Sequence, residues 1–348
     1  MKRKHFLHSL GLAGLAVPLS SFSMSKSKET AKNIIKPKRL KEGDTVGVVS
    51  PASAIFTSEP YEIAEESLQA MGLKVKFGKF TKSRYGHLAG TDEKRAEEFN
   101  NMFRDPEIDA VICLRGGSGA ARILPLIDYD AIRKNPKIFI GYSDITALHL
   151  AIFEKTGLVT YHGPMATSTW NSFAYDHFRE ILFDGKELLL SNPEEIGDEL
   201  VQTSNRIRTI QPGKAKGELL GGNLSVLTGI MGSPYFPQNW ENKLLYIEDV
   251  GEKIYRVDRM MSQLQLGGVL DQITGFIFGK CTDCDPGGGY GSLTLEEVID
   301  HYIKPLGIPA FSGAMIGHIK DNSTIPNGIS AEIDAENGSI QLLETPVK

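Results

Sequence analysis

The chain lacks an excess of basic residues: among its 348 residues, 38 lysines and arginines stand against 43 aspartates and glutamates, for a formal net charge of −5. A nucleic-acid partner is therefore not indicated, because proteins that bind nucleic acids usually carry a basic face. Beyond the N-terminus the chain also lacks an apolar run of about 20 residues, the length that a membrane-spanning helix needs. The hydrophobic fraction of 41% is ordinary for a globular protein with a buried core.

Cysteine is scarce, with three residues in the whole chain. Cys113 lies in an apolar run and is expected to be a small buried side chain. Cys281 and Cys284 form a single CxxC pair, and two further ligands at a spacing that suits zinc are not found. The sequence leaves open whether this pair forms a local disulfide or remains as two thiols.

The first 30 residues differ in composition from the rest. A basic start, Lys2 to Lys4, precedes the apolar segment Leu10–Leu19, and a polar stretch follows. This order is typical of a cleaved export signal, and cleavage after Ser23 fits its small residues. Arg3-Lys4 resembles a degenerate twin-arginine motif, so either that route or the Sec route is expected. We therefore predict an exported, periplasmic protein.

Apolar runs and helical patterns alternate along the remaining chain, which predicts an α/β fold with a mostly parallel sheet. The predicted strands are Thr45–Val49, Leu73–Phe77, Ile108–Leu114, Lys137–Ile140, Lys243–Ile247 and Thr274–Phe278, and Asn337-Gly338 predicts a hairpin. The predicted helices cover Glu59–Met71, a segment that Thr91 caps and that runs to Phe103, and Ile145–Phe153. We expect an N-terminal domain over 38–165, a linker over 166–212 and a C-terminal domain over 213–344.

The segment Gly141-Tyr142-Ser143-Asp144 lies between a predicted strand and a predicted helix. A serine on such a turn presents its hydroxyl outward, beside the free N–H groups of the first helical turn. The alternative is an ordinary helix N-cap, and Ile145 replaces the second glycine of a full nucleophile elbow. Ile145, Leu148 and Ile152 are expected to form the apolar face of the helix that follows.

A glycine-rich loop, Arg115-Gly116-Gly117-Ser118-Gly119, follows the preceding strand. Its N–H groups can converge on an anion, although the lysine of a phosphate-binding P-loop is absent. Because neighbouring parallel strands end side by side, the loop can lie next to Ser143 and contribute to an oxyanion site. The alternative is a tight turn without a chemical role.

A serine nucleophile needs a base and an orienting carboxylate. His162 and His318 are near-equal candidates for the base on the residues alone. Glu248 and Asp249 end a predicted buried strand on opposite faces, so at most one of them serves a given site. An alternative role for these carboxylates is pairing with Lys253 or Arg256.

Several motifs in this order resemble the LD-carboxypeptidase family of serine peptidases, over about residues 38–344. The motifs are Gly43–Ala52, Arg115–Gly119, Pro136–Leu148, His162–Pro164, Gly217–Leu224, Ile247–Glu252 and Gly317-His318. The resemblance implies a flavodoxin-like or amidotransferase-like parallel-sheet N-terminal domain joined to a smaller α/β domain. It implies the triad Ser143, Glu248 and His318. It also implies an oxyanion hole from the N–H groups of Asp144 and the loop around Gly117.

The family reaction is hydrolysis of an L,D-peptide bond in a murein tetrapeptide, with release of D-alanine and with no metal or cofactor. Arg115 and Arg256 are candidates to bind the terminal carboxylate of this substrate. Members of the family often dimerise, so a homodimer is one expectation. Where the loop commonly carries an aromatic residue after its second glycine, this chain has Ser118.

Two other functions remain open at this stage. Some family members cleave aminoacyl nucleotides of the microcin C type, and Trp170 or Trp240 could stack on such a base. The export signal favours murein, because nucleotide-like toxins act in the cytoplasm. A periplasmic solute-binding protein would also have two α/β domains and an export signal, but no turnover at Ser143.

Overall fold

The computed structural model describes residues 33–284 and 292–348, and Ile34–Lys348 form one compact unit. The predicted export signal, residues 1–30, lies outside the described residues. Within the part of the chain that is described, every helix is too short or too polar to cross a membrane. Cys113 is buried as a free thiol, as predicted, and Cys281 and Cys284 are joined in a disulfide.

The first sheet has six strands. They are β1 (Thr45–Val49), β2 (Lys74–Phe77), β3 (Ala110–Cys113), β4 (Ile138–Gly141), β5 (Thr160–His162) and, from far along the chain, β12 (Ile325–Asn327). Their order is β12-β5-β4-β3-β1-β2, with β1 to β5 parallel and β12 antiparallel to β5. The helices between them are α1 (Glu59–Ala70), α2 (Asp92–Arg104), α3 (Tyr129–Lys134), α4 (Thr146–Thr156) and α5 (Ser172–Leu182).

The second sheet has eight strands. They are β6 (Leu189–Leu190), β7 (Arg208–Gln211), β8 (Lys214–Asn223), β9 (Lys243–Val250), β10 (Gly275–Thr282), β11 (Ala310–Ser312), β13 (Ser330–Asp334) and β14 (Ser339–Leu342). The four strands β8 to β11 are parallel, and the outer strands run antiparallel to their neighbours. Its helices are α6 (Leu224–Gly229), α7 (Ile254–Leu266) and α8 (Leu295–Ile303). The predicted α/β class with a parallel sheet is confirmed.

Local signals account for several of these elements. The Thr91 side chain accepts a hydrogen bond from Lys94 N and begins α2, as predicted. The hairpin predicted at Asn337-Gly338 joins β13 and β14, and Gly338 has a positive φ of 60°. Residues 166–212, for which the sequence predicts a linker, contain α5, β6 and β7. The proposed domain boundaries remain a prediction.

Two elements are more extensive than predicted. Helix α4 does not bury one face only: all but two of its residues are buried, because it packs against α3, α6 and β8 from several sides. Strand β9 continues past Ile247 to Val250, so Glu248 and Asp249 lie within the strand and not beyond its end. The longer strand extends the pairing with β10 beyond a bulge, where Asp249 pairs with Cys281.

Each of two buried hydrophobic clusters contains residues from both sheets. Phe99 and Phe139, which belong to the first sheet and its helices, lie in the same buried cluster as Met261 of α7. A hydrogen bond of 2.9 Å from Asn223 N to Thr146 Oγ1 also joins the end of β8 to the start of α4. The ends of β4 and β9 are thereby held close to each other, and the candidate site lies there.

Candidate active site

Ser143 lies two residues after the end of β4 and begins a short 3₁₀ turn, Ser143–Ile145, that leads into α4. Its φ of 65° places a non-glycine residue in the left-handed region, a conformation that stores strain and recurs at functional sites. Tyr142, and not Ser143, occupies the N-cap position of this turn. The Oγ of Ser143 lies 2.9 Å from Nε2 of His318. The Ser143 side chain therefore does not have the N-cap role that the sequence left open as an alternative.

His318 bridges Ser143 and Glu248. Its Nδ1 lies 2.8 Å from Oε2 of Glu248, whose side chain is fully buried. A carboxylate accepts hydrogen bonds, so the neutral ring places its proton on Nδ1 and leaves Nε2 free to accept the proton of the serine hydroxyl. The ring of Tyr142 packs edge-on against the imidazole at 5.0 Å between centroids. These contacts fix the order Ser143, His318, Glu248 in space.

Gly317 allows His318 to approach the carboxylate. Its φ is 136°, and a Cβ atom at this position would lie 3.1 Å from Oε2 of Glu248 and 3.3 Å from Lys280 O. Gly317 N donates to Asn322 Oδ1 at 3.0 Å. On the other side, the Thr282 hydroxyl donates to His318 O at 3.1 Å. The side chains of Asn322 and Thr282 thus hold the backbone of the loop after β11 in place at Gly317 and His318.

Asp249 faces partners other than His318. Its carboxylate accepts hydrogen bonds from Asn223 Nδ2 at 3.0 Å and from Ser225 N at 2.9 Å, at the start of α6. Burial raises the pKa of Asp249 to about 6. Of the two adjacent carboxylates, Glu248 contacts the histidine and Asp249 caps a helix. Arg256, the alternative partner, lies 3.7 Å from Glu252 instead.

The glycine loop lies beside the nucleophile. Gly116 is the member nearest to the Ser143 side chain, whereas Gly117, with a φ of 118°, packs against Ser53. Ser118 N donates to Ser53 Oγ at 3.0 Å. The sequence prediction centred this contact on Gly117, but the close approach to Ser143 is made one residue earlier.

Asp144 ties the same loop to the nucleophile turn. Its carboxylate accepts a hydrogen bond of 2.7 Å from Ala120 N, the residue that follows the loop. Burial raises the pKa of this carboxyl, while the bond to Ala120 and the nearby Arg95 oppose that shift. The loop and the turn therefore keep a fixed relative position, with the backbone N–H of Asp144 at the first turn after Ser143.

A cavity of about 380 Å³ opens beside His318. Its described lining is mostly polar and includes Tyr142, Ser168, Lys320 and Asn322. Neither Arg115 nor Arg256 lines it. Lys320 is exposed and was not singled out from the sequence, although it lies only two residues after His318.

The two cations proposed from the sequence lie elsewhere. Arg115 is partly buried, and its Nη1 lies 3.5 Å from Ala54 O. Arg256 is exposed on α7, where it pairs with Glu252 and contacts Tyr255. Among the described residues that line the cavity, Lys320 is the one with a lysine or arginine side chain.

Comparison with known proteins identifies related chains. Two family models match, the LD-carboxypeptidase N-terminal domain over residues 46–163 and the LD-carboxypeptidase C-terminal domain over 216–333. A probable murein peptide carboxypeptidase of Bacillus subtilis (strain 168) is 42% identical, over 86% of this chain and 91% of that protein. The murein tetrapeptide carboxypeptidase of Pseudomonas aeruginosa PAO1 is 31% identical, over 83% of this chain and 92% of its own.

A solved structure has the same fold. The microcin C7 self-immunity protein MccF, in complex with aspartyl sulfamoyl adenosine, superposes with a TM-score of 0.81 at 31% identity. The match covers 90% of this chain and all of that chain.

Proposed function

Because this chain belongs to the LD-carboxypeptidase family, we propose that it is a serine carboxypeptidase that releases the terminal D-alanine from murein tetrapeptides by cleaving an L,D-peptide bond. The observation that carries the proposal is the continuous hydrogen-bonded series from Ser143 through His318 to Glu248. A serine hydroxyl, an imidazole and a buried carboxylate in this order form the arrangement that activates a serine for acyl transfer.

In the first half of the reaction, Ser143 Oγ attacks the carbonyl carbon of the scissile bond and gives its proton to His318 Nε2. The C–N bond then breaks, and His318 returns the proton to the amine of the departing D-alanine. Glu248 holds the ring orientation and stabilises the imidazolium that forms in between. An ester between Ser143 and the remaining tripeptide is left.

In the second half, a water molecule attacks the ester carbonyl and gives a proton to His318. The C–O bond to Ser143 breaks, and the proton returns to its Oγ. In both halves, negative charge develops on the carbonyl oxygen. The N–H groups of Asp144 and of the loop Gly116–Gly117 are the donors that we assign to this oxygen, since they lie on either side of the nucleophile.

Lys320 is the group that we assign to the terminal carboxylate of the substrate, in place of Arg115 and Arg256. It lines the cavity that His318 also lines, so a substrate whose scissile carbonyl lies at Ser143 would direct its carboxylate into this cavity. Tyr142 and Asn322 supply further polar contacts there. This assignment accounts for carboxypeptidase activity, because a free terminal carboxylate distinguishes the last residue of a peptide from an internal one.

The test is D-alanine release from L-Ala-γ-D-Glu-diaminopimelate-D-Ala by the wild type, by Ser143→Ala and by the control Ser262→Ala. Ser262 lies on α7 and donates to Arg259 O, so this control also loses a hydroxyl but not at the site. We expect release by the wild type and the control, and a loss of several orders of magnitude in Ser143→Ala. Equal release by all three proteins would contradict the assignment of Ser143.

The likeness to MccF supports a second candidate, cleavage of an aminoacyl-nucleotide amide. Of the two tryptophans, Trp240 is buried against Phe236 and donates to Pro237 O, which leaves it no face for a base. Trp170 is partly buried and is the next residue in the chain after Thr169, which lines the cavity. Turnover of an aminoacyl sulfamoyl adenosine with no release of D-alanine would favour this candidate. Binding of the tetrapeptide without turnover would favour a solute-binding protein.

A further inference from the structure

His162 lies behind the proposed triad, at the end of β5. Its side chain is fully buried, and β5 pairs there with β4, the strand that ends two residues before Ser143. His162 Nε2 lies 4.0 Å from Oε1 of Glu248, the carboxylate oxygen that His318 does not contact. Two histidines thus flank one buried carboxylate, each facing a different oxygen.

The polar atoms at this contact have no other partner. Neither ring nitrogen of His162 makes a hydrogen bond to any described residue, and Glu248 Oε1 also lacks one. An unpaired buried donor or acceptor costs about 1–3 kcal/mol, and more when a charge is involved. A shift of about 1 Å would bring the two groups to the usual hydrogen-bond distance of about 3 Å and satisfy both.

The surroundings keep the ring in position and uncharged. Tyr142 and Tyr246 pack edge-on against it, at 6.1 Å and 5.7 Å between centroids. Burial, together with the nearby His149 and His318, holds the pKa of His162 well below its usual range. Glu248 on β9 and these four side chains are titratable groups that lie near the ring. A neutral imidazole carries one N–H, and Oε1 of Glu248 is the acceptor that faces it.

We propose that His162 is a positioning residue, which donates its Nε2–H to Oε1 of Glu248 and so keeps the other oxygen directed at His318. The role rests on the proposed function, since it acts through the carboxylate of the proposed triad. It assigns a use to a buried histidine that does not contact the nucleophile. Second partners of this kind commonly orient the group that meets the reacting residue, and their loss costs about 10- to 100-fold in activity at metal sites.

The first experiment compares His162→Leu with His162→Gln. Both fill the space, but only glutamine keeps an N–H donor. We expect His162→Leu to lower kcat about 10- to 100-fold with KM nearly unchanged, and His162→Gln to restore activity to within about threefold of the wild type. An equal loss of kcat in both variants, at unchanged thermal stability, would overturn the proposal and leave His162 a packing residue.

The second experiment asks whether His162 acts through Glu248. In the Glu248→Gln background, His162→Leu should lower kcat by less than about threefold, because the carboxylate that it positions is already gone. The same loss in both backgrounds would contradict the proposal.

A third measurement does not depend on activity. Urea unfolding gives the change in unfolding free energy for His162→Leu, for Glu248→Gln and for the double variant. The change in the double variant should differ from the sum of the two single changes, since the two groups are partners. An additive result would overturn the contact itself. If the wild type releases no D-alanine while the changes in unfolding free energy are non-additive, the proposed function fails and the contact stands.

Discussion

Gly116 lies against the side chain of Ser143: a Cβ atom added to Gly116 would stand 2.9 Å from Cβ and 3.2 Å from Oγ of the serine. The same atom would lie 3.3 Å from Tyr142 O. The glycine loop and the nucleophile turn therefore approach each other at a distance that leaves no room for a side chain. The position of the serine hydroxyl depends on this glycine as well as on the hydrogen bond to His318.

Gly116→Ala is expected to lower kcat by about 100-fold, because the methyl group displaces Ser143 from its contact with His318 and a misplacement of about 1 Å can cost that much. Steady-state kinetics on the tetrapeptide measure the effect. The matched control is Gly229→Ala, since a Cβ at Gly229 meets nothing within 4 Å. Wild-type kcat in Gly116→Ala would show that the loop, and not the serine, moves aside.

Lys320→Ala is expected to raise KM about tenfold with little change in kcat, because a charge-assisted hydrogen bond to the terminal carboxylate is lost. Arg256→Ala, which removes an exposed cation paired with Glu252, should leave KM unchanged. A tetrapeptide with an amidated C-terminus sharpens the test. The wild type should prefer the free acid, and Lys320→Ala should lose that preference. A loss of preference in Arg256→Ala instead would reverse the assignment.

His149 is expected to make the fold sensitive to acid. It is fully buried on α4, and its Nε2 lies 2.8 Å from Gly141 O. Burial lowers the pKa of His149 to about 4, well below the usual range of an imidazole. The unfolded chain thus binds the proton more strongly than the folded chain. The stability that the fold has above about pH 6.5 is therefore lost progressively as the pH falls from about 6.5 through about 4. At about pH 5 the expected loss from this group is about 2 kcal/mol.

His149→Gln removes this titration and keeps an N–H donor for Gly141. Urea unfolding of wild type and variant at about pH 7.5 and about pH 5 measures the effect. The difference in unfolding free energy should shift by about 2 kcal/mol in favour of the variant at the lower pH. A difference that stays constant across this range would show that protonation of His149 does not limit stability.

Local patterns predicted the parts of the molecule that depend on neighbours in sequence. The turn at Ser143, the cap at Thr91 and the hairpin at Asn337-Gly338 each arise within a few residues, so their signals are present in short segments. The fold class followed from the alternation of apolar runs with helical patterns, for the same reason.

Contacts between distant segments could not be predicted in this way. On the residues alone, His162 at a strand end and His318 in a run of small residues were near-equal candidates, and the family resemblance decided for His318. The packing of the two sheets is what places His318 between Ser143 and Glu248. The cavity around Lys320 likewise forms from segments far apart in the chain. The Cys281–Cys284 disulfide was left open because spacing alone does not report the state of a thiol pair.

Strand β12 has a consequence for the order in which the molecule can be completed. It pairs with β5 across a separation of more than 150 residues and covers the edge of the first sheet. A ribosome makes Ile325–Asn327 after every other strand of the first sheet, so until then the β5 edge of a nascent chain stays unpaired, and His318 is made only shortly before. Synthesis therefore delays both the closure of the first sheet and the contacts of His318 with Ser143 and Glu248 until these two late segments have been made.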